Sequence, residues 1–214
     1  MKDIEILKNL ALFKGLDDEE LIEIEKYLSD VKTYEAKEII FTIGDEINYF
    51  GILLRGQVDL SLEDVFGNKA ILSKLTGPAL FAESVLIKDV GEIPLSVVAA
   101  CDSEVVFFDY KAYKSSNSRS LIKVQDNLIK ILAGKNLFMR DKLNLLSLPS
   151  SRAKILYFLS SEARKRKSKY FTIDFNISEL AQFMNLNRSS LSRELSKLKK
   201  EGLIDYDKKT FRIL

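Results

Sequence analysis

One segment, residues 177–204, constrains the fold of this chain most strongly. Its sequence is ISELAQFMNLNRSSLSRELSKLKKEGLI. Apolar residues recur at helical spacing in two short runs, and turn-tolerant asparagines separate these runs at residues 185–187. We predict a first helix capped by Ser178, a tight turn, and a second helix over residues 188–200 that stops at Gly202.

The second predicted helix has an apolar face and a polar face. Leu191, Leu195 and Leu198 follow the i, i+4, i+7 spacing of a core-facing stripe. A helix-turn-helix of this kind places its second helix in the major groove of DNA, so the sequence predicts double-stranded DNA as a partner. Side chains of the polar face that can contact phosphates or base edges are Arg188, Ser189, Ser190, Ser192, Arg193, Lys197 and Lys200.

The charge distribution agrees with this prediction. Residues 150–214 hold 15 basic and 7 acidic side chains, a net charge of +8, and residues 1–149 are left with −6. A basic end on an acidic body is typical of nucleic-acid binding. The alternative at this stage is that the lysine-rich helix faces are simply solvated.

Composition excludes several classes of protein. The chain has no histidine and one cysteine, Cys101, so His-dependent catalysis, an iron–sulfur cluster and a cysteine zinc site are all disfavoured. We expect no enzyme activity, no metal and no cofactor. No run of about 18 apolar residues is present, and the start MKDIEILKNL lacks the apolar core of a secretory signal. We therefore expect a cytoplasmic protein without a membrane partner.

The first half of the chain predicts helices and then strands. Residues 4–28 read as short helices, with a helix start at residues 16–20. Between residues 31 and 110, turn signals at Gly44, Gly56, Gly67 and Gly77 fall 10 to 12 residues apart, which is typical of a β-sandwich or jelly roll.

A long helix is predicted next, over residues 118–146. Positions with alternating three- and four-residue spacing form a heptad stripe, which predicts a homodimer, although the stripe could instead pack on the β domain. The stripe comprises Ile122, Gln125, Ile129, Leu132, Asn136, Met139, Leu143 and Leu146.

The helix is interrupted at Pro149, after which Ser150 or Ser151 can cap a further helix over residues 152–167. A final hairpin would place Lys208 and Lys209 at its tip for phosphate contact. We predict an α+β fold with three parts: a β-roll sensor domain (1–116), a dimerisation helix and hinge (117–148), and a winged helix-turn-helix domain (149–214).

This order of parts resembles the Crp/Fnr superfamily of bacterial transcription regulators. Phe81-Ala82-Glu83 resembles the family's Phe-Gly-Glu motif, Ser151-Arg152-Ala153 resembles the start of its DNA-binding domain, and LNRSSLSREL resembles its recognition helix. The resemblance implies a homodimer on a two-fold operator, with RNA polymerase as a further candidate partner. It also places Arg188, Ser189 and Arg193 at base-reading positions, with Ser189 where relatives commonly carry Glu.

The chain departs from the family's cyclic-nucleotide binders. Where they carry an Arg followed by Ser or Thr, this chain has Ile93 and Pro94, and two polar dimer-helix positions are Leu137 and Phe138. An isoleucine cannot neutralise a buried phosphate, so we predict that cyclic AMP is not the effector. The predicted pocket, for an apolar effector, comprises Phe81, Glu83, Ile93, Pro94, Leu137 and Phe138.

Several alternatives remain open from the sequence. The pocket side chains could fill a core with no ligand, Glu83 could cap a turn, and Cys101 could be a redox switch or a buried apolar residue. The whole chain could also be a cyclic-nucleotide-type sensor or interaction protein that does not act through sequence-specific DNA.

Overall fold

The computed structural model describes residues 4–63, 69–173 and 175–214, so the predicted turn at Gly67 lies outside the described residues. The chain divides into two compact units, Met1–Ala133 and Gly134–Leu214. The division falls inside one long helix, and each unit has its own hydrophobic core.

Two short helices and a 3-10 turn open the first unit: α1 (Ile4–Lys8), the turn Ala11–Phe13 and α2 (Asp18–Glu25). Asp17 caps α2, because its carboxylate accepts from the Glu20 N–H and the Glu20 carboxylate accepts from the Asp17 N–H, each at 2.9 Å. This reciprocal pair is a capping box, and it confirms the predicted helix start.

Eight strands follow, and every pairing among the described strands is antiparallel. One sheet has the order β1-β8-β3-β6 and the other the order β2-β7-β4-β5. The predicted β-roll is therefore confirmed. The strands are β1 (Lys32–Tyr34), β2 (Ile39–Phe41), β3 (Phe50–Arg55), β4 (Gln57–Glu63), β5 (Lys69–Thr76), β6 (Ala79–Phe81), β7 (Ser96–Ala99) and β8 (Ser103–Phe108).

The central strand β3 is buried on both faces because its side chains alternate between two cores. Leu53 packs between the sheets with Phe41, Val58 and Val97. Its neighbours in β3 point to the opposite face, as the two-residue period of a strand requires, and join a core formed with the N-terminal helices.

Three helices connect and complete the first unit: α3 (Glu83–Lys88), α4 (Tyr110–Lys114) and α5 (Leu121–Ser147). Helix α5 confirms the predicted long helix and begins three residues later than expected. Val124 and Leu128 of α5 are buried in the core that contains the N-terminal helices.

The second unit contains the C-terminal part of α5, three further helices and a small sheet. The sheet has the order β10-β11-β9. The predicted helices and hairpin wing are present, and β9 is an additional strand that is too short to show an alternating pattern. The elements are α6 (Ser151–Arg166), β9 (Tyr170–Thr172), α7 (Ile177–Phe183), α8 (Arg188–Lys200), β10 (Ile204–Asp207) and β11 (Thr210–Ile213).

Two local predictions are wrong. Helix α7 is capped by Asn176 rather than Ser178, because Asn176 has Glu179 three residues later to complete a capping box, with hydrogen bonds of 2.9 and 2.6 Å. Cys101 is exposed in a bend before β8, so the interpretation that it is a buried apolar residue fails. Ser150, one of the two predicted caps, does cap α6 by accepting from the Ala153 N–H.

Candidate nucleic-acid interface

Helix α8 separates an apolar face from a polar one. Leu191, Leu195 and Leu198 are fully buried in the core of the second unit. Ser190 is half-buried. The other predicted DNA-contacting residues of this helix are all exposed: Arg188, Ser189, Ser192, Arg193, Lys197 and Lys200.

The turn before α8 fixes the position of this helix. Asn185 has a φ of 51°, a left-handed conformation that asparagine tolerates better than most residues. The Leu186 N–H donates to the Ala181 carbonyl at 2.9 Å, and Met184 is fully buried beneath the turn. The chain therefore enters α8 from a turn that is anchored both by hydrogen bonds and by packing.

Arg152, at the start of α6, binds two carboxylates, that of Glu194 in α8 and that of Glu201 at the C-terminal cap of α8. Its guanidinium donates to Glu201 at 2.5 and 3.2 Å and to Glu194 at 3.4 Å. The hydrogen bonds from Arg152 lower the pKa of the Glu201 carboxyl, and the pKa of Arg152 is raised in return. The acid of α8 and the acid at its C-terminal cap are thus both paired with a cation of α6, which would reduce their repulsion of a phosphate backbone.

Lys199 is engaged by the wing. Its ammonium lies 2.6 Å from the Asp205 carboxylate and donates to the Tyr206 carbonyl at 3.3 Å. The hydrogen bond to Asp205 raises the pKa of Lys199. Lys199 therefore joins α8 to β10, a connection that the sequence pattern did not indicate.

Arg193 holds its side chain along the helix. Its Nε donates to the Ser189 carbonyl one turn earlier, at 3.3 Å. Within the described part of the chain, neither Nη group has a protein partner, and these two groups are the ones that form a bidentate pair with a guanine.

The wing is a tight hairpin between β10 and β11. Lys208 has a φ of 50° at the turn, and both Lys208 and Lys209 are exposed. The predicted phosphate-contacting lysines therefore lie at the tip of a hairpin that pairs with β9 through β11.

The residues of the predicted effector pocket differ in burial and belong to both units. Phe81, Glu83 and Ile93 are buried, and the Phe81 ring packs against Phe41 between the sheets at 5.9 Å. Ala82, at the glycine position of the family motif, has a φ of 64°. Leu137 and Phe138 belong to the second unit and are each 51% exposed.

Ile93 and Pro94 line a cavity of about 440 Å³ in the first unit, together with Ile43 and Val90. Its two charged lining residues are the acids Glu46 and Glu92. These two exposed carboxylates make the cavity unfavourable for an anion.

The heptad stripe of α5 is largely exposed. Ile122 is 78% exposed, Ile129 65% and Leu143 65%, and Met139 and Asn136 are also exposed. Leu132 is half-buried and packs against the core of the first unit. Apolar side chains exposed in a row along one helix are typical of a protein–protein contact.

The described residues contain no helix with the length and hydropathy of a membrane-spanning segment. Within residues 4–63, 69–173 and 175–214, no group of three or more Cys, Asp or Glu side chains is arranged to hold a metal ion.

Comparison with known proteins identifies both parts of the chain. Residues 31–115 match the cyclic nucleotide-binding domain, and residues 153–214 match the Crp-like helix-turn-helix domain. These two ranges span about two thirds of the sequence. No match is found among curated proteins.

Solved structures show the same architecture. The chain is similar to the Catabolite Activator Protein of Thermus thermophilus, with 28% identity, a TM-score of 0.52, and coverage of 95% of this chain and 93% of that one. It shares the fold of the c-di-GMP responsive regulator CLP from Xanthomonas campestris (16% identity, TM-score 0.64, coverage 92% and 99%). It also shares the fold of FixK2 from Bradyrhizobium japonicum, with 18% identity, a TM-score of 0.56, and coverage of 86% of this chain and 91% of that one. Both domain matches and these likenesses agree, and the chain belongs to the Crp/Fnr superfamily of transcription regulators.

Proposed function

We propose that this protein is a homodimeric regulator that binds a two-fold DNA operator through helix α8. The observation that carries the proposal is the exposed row of basic and hydroxyl side chains on α8, above a fully buried leucine face. Arg188, Ser189 and Arg193 would read base edges, and Ser190, Ser192, Lys197 and Lys200 would contact phosphates or neighbouring edges. Lys208 and Lys209 of the wing would contact the flanking backbone.

The dimer would form through the exposed stripe of α5. Two copies of this helix would bury Ile122, Ile129, Met139 and Leu143, and Asn136 would set their register, as a polar heptad residue does. Half-sites in the operator would then lie about one helical turn, roughly 34 Å, apart. RNA polymerase is the further partner that such a regulator would contact, and the cytoplasm is where it would act.

The sensor domain would respond to an apolar molecule or to none. The buried state of Phe81 and Ile93 favours core packing at these two positions. The acidic lining of the cavity beside Pro94 disfavours an anionic effector there. Titration calorimetry with cyclic AMP should show no micromolar binding, and such binding would contradict this assignment.

The test of DNA binding is a selection of sequences from genomic fragments, followed by fluorescence anisotropy on the selected site. We expect an operator with two-fold symmetry and an affinity that falls steeply with salt, because binding releases the counterions of the phosphates. A matched pair of variants would be Arg188→Ala on α8 and Arg166→Ala, at the end of α6. Only the first should lose operator binding.

No preference for any fragment, together with intact folding, would contradict the proposal. It would favour an interaction protein whose winged helix contacts another protein.

A further inference from the structure

A second cavity, of about 90 Å³, lies within the C-terminal unit, and none of the DNA-contacting residues proposed above lines it. It is bounded by the end of α5, by α6 and by α7. Its principal lining residues are Phe138, Lys142, Tyr157, Phe158, Phe175 and Phe183.

Aromatic rings form one side of the cavity. The Phe183 ring centroid lies 5.0 Å from that of Phe175, 5.7 Å from Phe158 and 6.4 Å from Phe138. Phe183 is the last residue of α7, so the wall is built on the first helix of the helix-turn-helix. Such rings can pack against an apolar ligand without polar groups of their own to satisfy.

Lys142 is half-buried beside these rings. Its Nζ lies 3.4 Å from the Phe183 ring centroid and donates to the Phe183 carbonyl. Burial lowers the pKa of Lys142 to about 8. Within the described residues no carboxylate pairs with it.

The other charged residues of the cavity already have partners. The Lys165 ammonium lies 3.2 Å from Glu162, which also binds Arg166 at 3.3 Å. Asp141 binds Arg140 at 2.9 Å. An anion entering the cavity would therefore find Lys142 as the cation that lacks a counter-ion among the described residues.

We propose that this cavity binds a small aliphatic monocarboxylate, whose carboxylate pairs with Lys142 and whose apolar body packs on the phenylalanine rings. The volume limits the size of the ligand, because this cavity is smaller than one of about 150 Å³ that holds a benzene ring. A body of three or four carbon atoms fits the smaller space. The site would be separate from the sensor domain, and the inference does not depend on DNA binding.

The binding test uses isobutyrate as the probe and isobutyramide as its uncharged match of equal shape. Ligand-observed saturation-transfer NMR on the full chain should detect isobutyrate and give a much weaker signal for the amide. Titration of Lys142→Met should weaken isobutyrate binding roughly 10- to 100-fold, the contribution of a hydrogen bond to a charged group. Lys130→Met, an exposed lysine of the same helix that pairs with Asp126, should bind isobutyrate as the wild type does.

Circular dichroism melts would verify that both variants fold. The proposal is overturned if isobutyrate does not bind the folded wild-type protein, if acid and amide bind equally, or if Lys142→Met retains wild-type affinity. These results involve no DNA, so they leave the operator proposal to its own test.

Discussion

Individual ion pairs determine which charged side chains on the polar face of α8 are without a partner. Arg152 pairs with Glu194 and Glu201, and Lys199 pairs with Asp205. The remaining exposed cations of α8 are therefore not paired with Glu194 or with Glu201, the C-terminal cap of the helix. Exposed ion pairs contribute little to stability, so their effect lies in positioning charge.

Arg193→Ala should weaken operator binding by about 1–3 kcal/mol, because it removes a bidentate contact to one base. The preference at that base pair should relax, whereas affinity for random DNA should change little. Anisotropy titrations on the operator and on its single-base variants would measure both effects. Lys199→Ala is the matched control, since Lys199 is engaged by Asp205. Equal losses in the two variants would refute the role assigned to Arg193.

Lys142 should make stability depend on pH in the alkaline range. Burial lowers its pKa from 10.5 to about 8, so between these values the folded state has released a proton that the unfolded state retains. The free energy of unfolding should then rise with pH across this range by about 1–3 kcal/mol, after allowance for residual solvent exposure. Urea titrations at several pH values, compared with Lys142→Met, would isolate this contribution. An identical pH profile in the variant would contradict the assignment.

Helices α6 and α7 of the C-terminal unit begin at a side-chain cap, whereas α8 does not. Ser150 caps α6 and Asn176 caps α7. Asn187 precedes α8 without forming a side-chain cap, and the position of α8 depends on its buried leucines and on the preceding turn. The cap of α7 is a short-range interaction, so the Asn176–Glu179 spacing could have predicted it. The position of α8 depends instead on packing with distant residues.

Asn176→Ala should lower the free energy of unfolding by about 1 kcal/mol, because the Glu179 N–H loses its acceptor. Ser178→Ala, two residues later and exposed, should change it by less than about 0.5 kcal/mol. Denaturant titrations of the two variants provide a direct comparison. The opposite ranking would restore Ser178 as the cap.

At the scale of the whole molecule, charge and exposed apolar surface are distributed unevenly. The basic excess lies in residues 150–214, and the exposed apolar stripe runs along α5. A homodimer would cover the stripe and present two copies of α8 to one duplex. Dimer formation would thus link two weak half-site contacts, and the dimer would bind the operator with higher affinity than either half-site contact alone gives.

Ile129→Glu should convert the protein to a monomer, because it places two like charges opposite each other within an apolar seam. Sedimentation equilibrium would show the change in mass, and operator affinity should fall with it. Ile22→Glu, an exposed apolar position on α2, is the matched control and should remain dimeric. A wild-type protein that is already monomeric would overturn the dimer proposal.

Local patterns in the sequence are enough to predict several elements of this fold. The heptad period predicted α5, the regular turn spacing predicted the β-roll, and the leucine stripe with its basic face predicted the helix-turn-helix. The helix signals each lie within about 30 residues, because side-chain periodicity follows from backbone geometry alone. The regularly spaced turns of the β-roll extend over a longer stretch of the chain.

Other features of the fold depend on contacts between residues that are distant in the sequence. The order β1-β8-β3-β6, the pairing of Arg152 with Glu201 and the strand β9 all require partners that no local pattern specifies. The same is true of Lys142, which in the sequence is one lysine among many on a long helix. Its lowered pKa arises because folding brings Phe183, 41 residues away, over its ammonium and removes water from around the charge.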